Sequence, residues 1–191
     1  MIKVIFAIIV ALLLCLCAAH SKVTQEKPSV AAQSLERVPP TAFPQLPKNL
    51  VRRLQARRCT IPQTDLEPRP NNVISGGFAK KGQISWAVLC SRGGVSSILV
   101  FWDSATESPA ELAKYLDDAY WLGNAREGFH YYRHLMVADR DYILVHYNEY
   151  DRSKQAPPPI THDGIDDGFL EKGSEVFYYY RGKWLELPGA D

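Results

Sequence analysis

The chain has 191 residues, a formal net charge of +1, 46% hydrophobic residues and four cysteines. That length holds one domain of ordinary size. Residues 20–58 carry eight basic and two acidic side chains, whereas residues 59–191 carry thirteen basic and nineteen acidic ones. An acidic body behind a short basic arm argues against nucleic-acid binding. The chain opens with Met1-Ile2-Lys3, an apolar run from Val4 to Leu16, and then Cys17-Ala18-Ala19. A basic start, an apolar middle and small residues before a cut predict an export signal over residues 1–19. The apolar run is about 13 residues, short of the roughly 20 that span a bilayer, so no transmembrane segment is expected in the mature chain. Cys15 and Cys17 are the alternative, as lipid-attachment sites, but each follows a bulky leucine, Leu14 or Leu16, rather than a small residue.

Removal of residues 1–19 leaves Cys59 and Cys90. In an oxidising compartment such a pair is expected to form a disulfide. It would close a loop of about 30 residues, for roughly 3–4 kcal/mol in the chain-entropy account. Residues 20–45 read as a flexible Pro-rich linker, because Ser21 to Phe43 is rich in Pro, Ser, Ala and Gln with few large apolar side chains. Residues 46–191 then form a single globular domain. Pro47 to Arg57 predicts a short helix with Leu50, Val51 and Leu54 as its apolar stripe and Lys48, Arg52, Arg53, Arg57 and Arg58 on its solvated side. Asn72 to Phe78, Ser85 to Ser91 and Ser96 to Trp102 read as strands, the last two joined by a turn at Arg92-Gly93-Gly94.

Ser108-Pro109-Ala110-Glu111 has the form of a capping box, and Leu112, Tyr115, Leu116, Ala119 and Tyr120 follow at helical spacing up to Gly123-Asn124. A helix is predicted there. Phe129 to Ala138 and Tyr142 to Tyr147 are expected to form a hairpin around Asp139-Arg140, and Asn148 to Gly173 a long polar loop. Glu175 to Arg181 and Lys183 to Leu187 close the chain as a hairpin over Gly182. The expected fold is α+β: one antiparallel sheet of about six to seven strands, one or two packed helices and one disulfide.

Candidate chemistry is sparse. His130 and His134 lie about 13 Å apart if their segment is a strand, and the expected hairpin points His134 and His146 to opposite faces, so neither pair suits a shared metal. Asp163, Asp166 and Asp167 are weak calcium candidates whose spacing is not that of an EF-hand loop; with Ile165 and Phe169 they read equally as one exposed helical turn. Asp103, Glu107, Glu149 and Asp151 are candidate glycosidase carboxylates near element ends. No nucleophile elbow, zinc-protease, phosphate-loop or dinucleotide motif is present. No cofactor is implied, and the sequence leans away from an enzyme. Tyr131, Tyr132, Tyr179 and Trp184 fall on late strands, where neighbouring side chains alternate faces, and form a candidate binding surface.

The stretch Gly76-Gly77-Phe78-Ala79-Lys80-Lys81-Gly82-Gln83-Ile84-Ser85-Trp86-Ala87-Val88 resembles the FG-GAP type of propeller repeat in its Gly, Phe, Ala and Val positions. The calcium-ligand positions of that repeat hold Gly77, Lys81 and Ser85, so the resemblance implies strand–turn–strand and no calcium site. More broadly, Cys59-Thr60-Ile61-Pro62-Gln63, Ala87-Val88-Leu89-Cys90-Ser91 and Gly182-Lys183-Trp184-Leu185-Glu186 are similar to segments of small uncharacterised exported bacterial proteins. That resemblance implies a periplasmic or extracellular setting and brings no activity. The function expected is a non-catalytic binding or accessory domain of the cell envelope, its partner an envelope protein or glycan. The alternatives are a small secreted hydrolase with a carboxylate site and an inhibitor of an extracellular enzyme.

Overall fold

The computed structural model describes residues 35–104, 108–124, 128–150 and 155–190; the export signal expected at 1–19 lies outside them. The first helix, α1 (Lys48–Ala56), follows Pro47 and buries Leu50 and Leu54, one turn apart. It ends in a Schellman turn. The Arg58 N–H donates to the Gln55 carbonyl at 2.8 Å and the Cys59 N–H to that of Leu54 at 3.0 Å, with Arg58 at a φ of 57°.

The described residues hold two α-helices and twelve strands in four antiparallel sheets. β1 (Arg37–Val38) pairs with β2 (Ile61–Pro62). β3 (Val73–Gly76), β4 (Ser85–Arg92), β5 (Val95–Phe101) and β6 (Ala110–Leu116) form the first large sheet in that order. β7 (Trp121–Asn124) pairs with β8 (Gly128–Tyr131). β9 (Arg133–Ala138), β10 (Gly164–Phe169), β11 (Gly173–Tyr180) and β12 (Lys183–Pro188) form the second large sheet, and the other helix, α2 (Arg140–Tyr150), lies between β9 and β10 in the chain.

Strand alternation sorts the side chains into layers. Trp86, Val88, Cys90, Leu99 and Phe101 face α1 and pack with Leu50 and Leu54. Their neighbours Ala87, Leu89, Ile98 and Val100 face the second sheet and pack with Leu135, Ile165 and Phe177. Ala138, Val176, Tyr178 and Leu187, on the far side of that sheet, pack with Ile143 and Tyr147 of α2. The order is helix, sheet, sheet, helix. β4 and β5 are apolar on both faces because both faces are covered. Cys59, delivered by the Schellman turn, is bonded to Cys90 of β4 with 5.2 Å between their Cα atoms.

The architecture corrects several expectations. The single six-to-seven-strand sheet is two four-stranded sheets and two strand pairs. The linker expected over residues 20–45 is structured from Leu35 onward: Leu35 and Phe43 are buried, Arg37–Val38 is a strand and Pro40–Ala42 a 3-10 turn. Its residues 20–34 lie outside those described.

The helix expected after Ser108 is β6, a 3-10 turn at Asp117–Tyr120 and β7. Its helix-like spacing has a local cause. Tyr115 pairs with Ser96 and Leu112 with Ile98, so β6 carries one extra residue there, and Ala113 takes a φ of 47°. Such a bulge breaks the two-residue period, and both Leu112 and Ala113 turn toward the inter-sheet core.

The strand expected at Tyr142 to Tyr147 is α2. Asp139 caps it, accepting the Tyr142 N–H at 2.8 Å, and Ile143 and Tyr147 supply its buried face. The polar loop Asn148–Gly173 contains β10, an inner strand of the second sheet, rather than one exposed helical turn.

Candidate functional site

One end of the interface between the large sheets is held by a buried ion pair. Arg133 donates to both carboxylate oxygens of Asp167 at 2.9 Å, to Ser96 Oγ at 2.8 Å and to the Ala113 carbonyl at 2.7 Å. β9 and β10 are thereby tied to β5 and β6. The guanidinium also lies 4.6 Å from the Tyr120 ring centroid and 5.4 Å from that of Tyr115. Burial is the largest influence and works against its charge, but the Asp167 hydrogen bonds and charge, with the Tyr120 and Tyr131 phenols, together outweigh it and raise its pKa.

Outside this pair lies an open cleft of about 660 Å³. Tyr115 and Tyr120 form one wall and the β10–β11 turn, with Phe169, Lys172 and Glu175, forms another; Glu149 and Tyr150 at the end of α2 complete it with Pro188 to Ala190. Tyr120 packs on Phe169 with ring centroids 5.3 Å apart, and Tyr115 on Tyr120 at 6.0 Å. The field is acidic. Burial, then the charges of Glu186 and Asp167, raise the Glu175 carboxyl above its ordinary pKa. Burial, then Glu175 and Asp167, do the same to the Tyr115 phenol. Aromatic faces beside carboxylate acceptors can stack on an apolar ring face and accept hydrogen bonds from hydroxyl or amino groups.

The expected binding surface divides. Tyr179 and Trp184 are cross-strand partners, and Trp102 joins them, stacked on Trp184 at 5.5 Å and tilted on Tyr179 at 5.2 Å. These half-buried rings close one end of the inter-sheet core. Tyr131 is fully buried and is not a surface residue. Its ring packs against Tyr120 and Trp121. Tyr132 is half-buried and meets His130 edge-on.

The calcium candidates do not converge. Asp166 and Asp167 are adjacent on a strand and turn to opposite faces, Asp167 toward Arg133 and Asp166 toward the side of α2. Asp163 accepts the Gly77 N–H at 2.8 Å, in the loop that resembles a propeller repeat. Among the described residues no group of three or more His, Cys, Asp or Glu is placed to hold a metal ion. Of the glycosidase candidates, Glu149 lines the cleft and Asp103 accepts Gln83 Nε2 at 2.7 Å, while Glu107 and Asp151 lie outside the described residues.

Sequence reasoning missed Tyr115, Tyr120, Phe169 and Glu175 as a group. They come from β6, the 3-10 turn, β10 and β11, and only the sheet pairing brings them together. No protein-family model, curated protein or solved structure matches this chain.

Proposed function

We propose that this chain is an exported, non-catalytic binding domain of the bacterial envelope, and that the Tyr115–Glu175 cleft is its ligand site, for a glycan. The observation that carries the reading is the pairing of an aromatic wall, Tyr115, Tyr120 and Phe169, with the carboxylates Glu149 and Glu175 in one open cleft. Export rests on the Met1–Ala19 segment and accords with the Cys59–Cys90 disulfide. The test is titration of the protein with soluble envelope oligosaccharides, followed by calorimetry. Tyr115→Ala and Glu175→Gln should each weaken binding by about tenfold or more, equal to about 1.4 kcal/mol. Wild-type affinity in both folded variants sinks the cleft as the site.

A hydrolase is the second reading. It is favoured by Glu175, a carboxyl raised by burial on the same cleft as Glu149. Release of reducing ends from a polysaccharide, lost in Glu175→Gln while binding persists, would select it over the binding module.

A further inference from the structure

Behind the cleft, on the α2 side of the second sheet, lies an adjoining cavity of about 320 Å³ that shares Phe169, Lys172, Gly173, Ser174 and Ala190 with it. Asp166 forms its floor at 1% exposure, and neither of its carboxylate oxygens has a hydrogen-bond partner. A buried carboxyl without a donor is uncommon, because leaving such a group unpaired costs free energy. Close packing at two glycines holds its surroundings in place. A Cβ on Gly189 would collide with Ser174 Oγ and fall 2.9 Å from Asp166 Oδ1. A Cβ on Gly168 would run into the His134 ring.

We propose that this cavity binds a primary alkylammonium group, with Asp166 as its counter-ion. The three N–H donors of an ammonium match the two unpartnered Asp166 oxygens and a hydroxyl acceptor. Tyr142 and Ser174 both line the cavity, their oxygens 3.4 Å apart. Met136, Phe169 and Leu170 supply an apolar wall for the alkyl stem. An anion would meet the Asp166 carboxyl. No neighbouring charge is bonded to it: His134, whose charge acts on Asp166 through space, has its Nδ1 2.9 Å from Glu67 Oε1, and the lining residues Glu171 and Lys172 carry opposite charges. Burial raises the Asp166 carboxyl above its ordinary pKa, with the Ser174 hydroxyl, the His134 charge and the Tyr142 hydroxyl offsetting part of the effect. In the complex the Asp166 carboxylate pairs with the ammonium.

The experiment titrates the intact ¹⁵N-labelled protein with four probes. These are n-butylammonium, N-acetyl-lysine methylamide, n-butanol as the uncharged analogue, and tetramethylammonium as the cation without N–H groups. The two ammonium probes should shift the amides of Met136, Asp166, Leu170 and Glu171, which line this cavity and not the cleft, with n-butanol and tetramethylammonium weaker by about tenfold or more. A tighter response to the lysine derivative assigns a peptide side chain as the source, and a tighter response to n-butylammonium a free amine. Asp166→Asn should abolish the shifts. If that variant does not fold, the ranking of the four probes on the wild-type protein decides alone. No shift with either ammonium probe, or an equal response to n-butanol, overturns the proposal. A glycan response would appear at Tyr115 and Glu175 instead, so failure here is distinguishable from failure of the cleft reading.

Discussion

Arg133 and Asp166 both carry ionisable groups buried in the second sheet, in opposite circumstances. The Arg133 guanidinium has partners on three strands and a carboxylate matched to its fork. Removing it would leave Asp167 ionised and alone. Arg133→Met should therefore lower unfolding free energy by about 3–5 kcal/mol, and the double change with Asp167→Leu should recover much of the loss. Chemical denaturation of the wild type and the two variants checks this.

Asp166 is the reverse case, a carboxyl that folding makes harder to ionise. Its folded pKa lies above its unfolded one, so its contribution favours the native state below the unfolded pKa and is lost as pH rises through the folded value. The stability of Asp166→Asn relative to wild type should rise as pH increases above about 4. Denaturation midpoints across that range measure it, and a flat difference would refute it. Neither role was legible from sequence. Asp166 and Asp167 read as one acidic cluster because adjacent acids look alike until the strand turns them to opposite faces.

Elements were legible where local chemistry and burial agree. α1, the β4–β5 hairpin and the β11–β12 hairpin follow from apolar periodicity and turn residues, and each is present. Elsewhere the tertiary structure overrode the local signal. The apolar spacing in β6 was that of a bulge rather than a helix, and β10, written Gly-Ile-Asp-Asp-Gly-Phe, hides an inner strand among turn formers. α2 left one legible mark, the Asp139 cap, which reads equally as a hairpin turn.

The Schellman turn after α1 offers a test at this scale. Arg58 is exposed and occupies the left-handed position that favours glycine. Arg58→Gly should stabilise the protein by about 1 kcal/mol, since a side chain there costs roughly 1–2 kcal/mol that glycine avoids. An unchanged or lower denaturation midpoint would contradict it.

At the scale of the whole molecule, the disulfide fastens the α1 layer to the first sheet. Cys59 and Cys90 are 31 residues apart, and both are buried in the cluster beneath α1. Replacing both by alanine should cost about 3–4 kcal/mol in the chain-entropy account, read from denaturation of the variant against the oxidised protein. The oxidised protein should show no alkylatable thiol at either position.

The layering has a further consequence. The apolar cluster under α1 shares no buried residue with the cluster between the sheets. The outer layer can therefore detach without dissolving the two-sheet centre, as a cooperative unit of its own. With the Cys59–Cys90 bond intact, amide protons in α1 should exchange at rates close to those of β4. Once the bond is reduced, α1 should exchange first while β10 and β11 stay protected. The bond would then set which part of the protein survives as a folded remnant in a reducing environment.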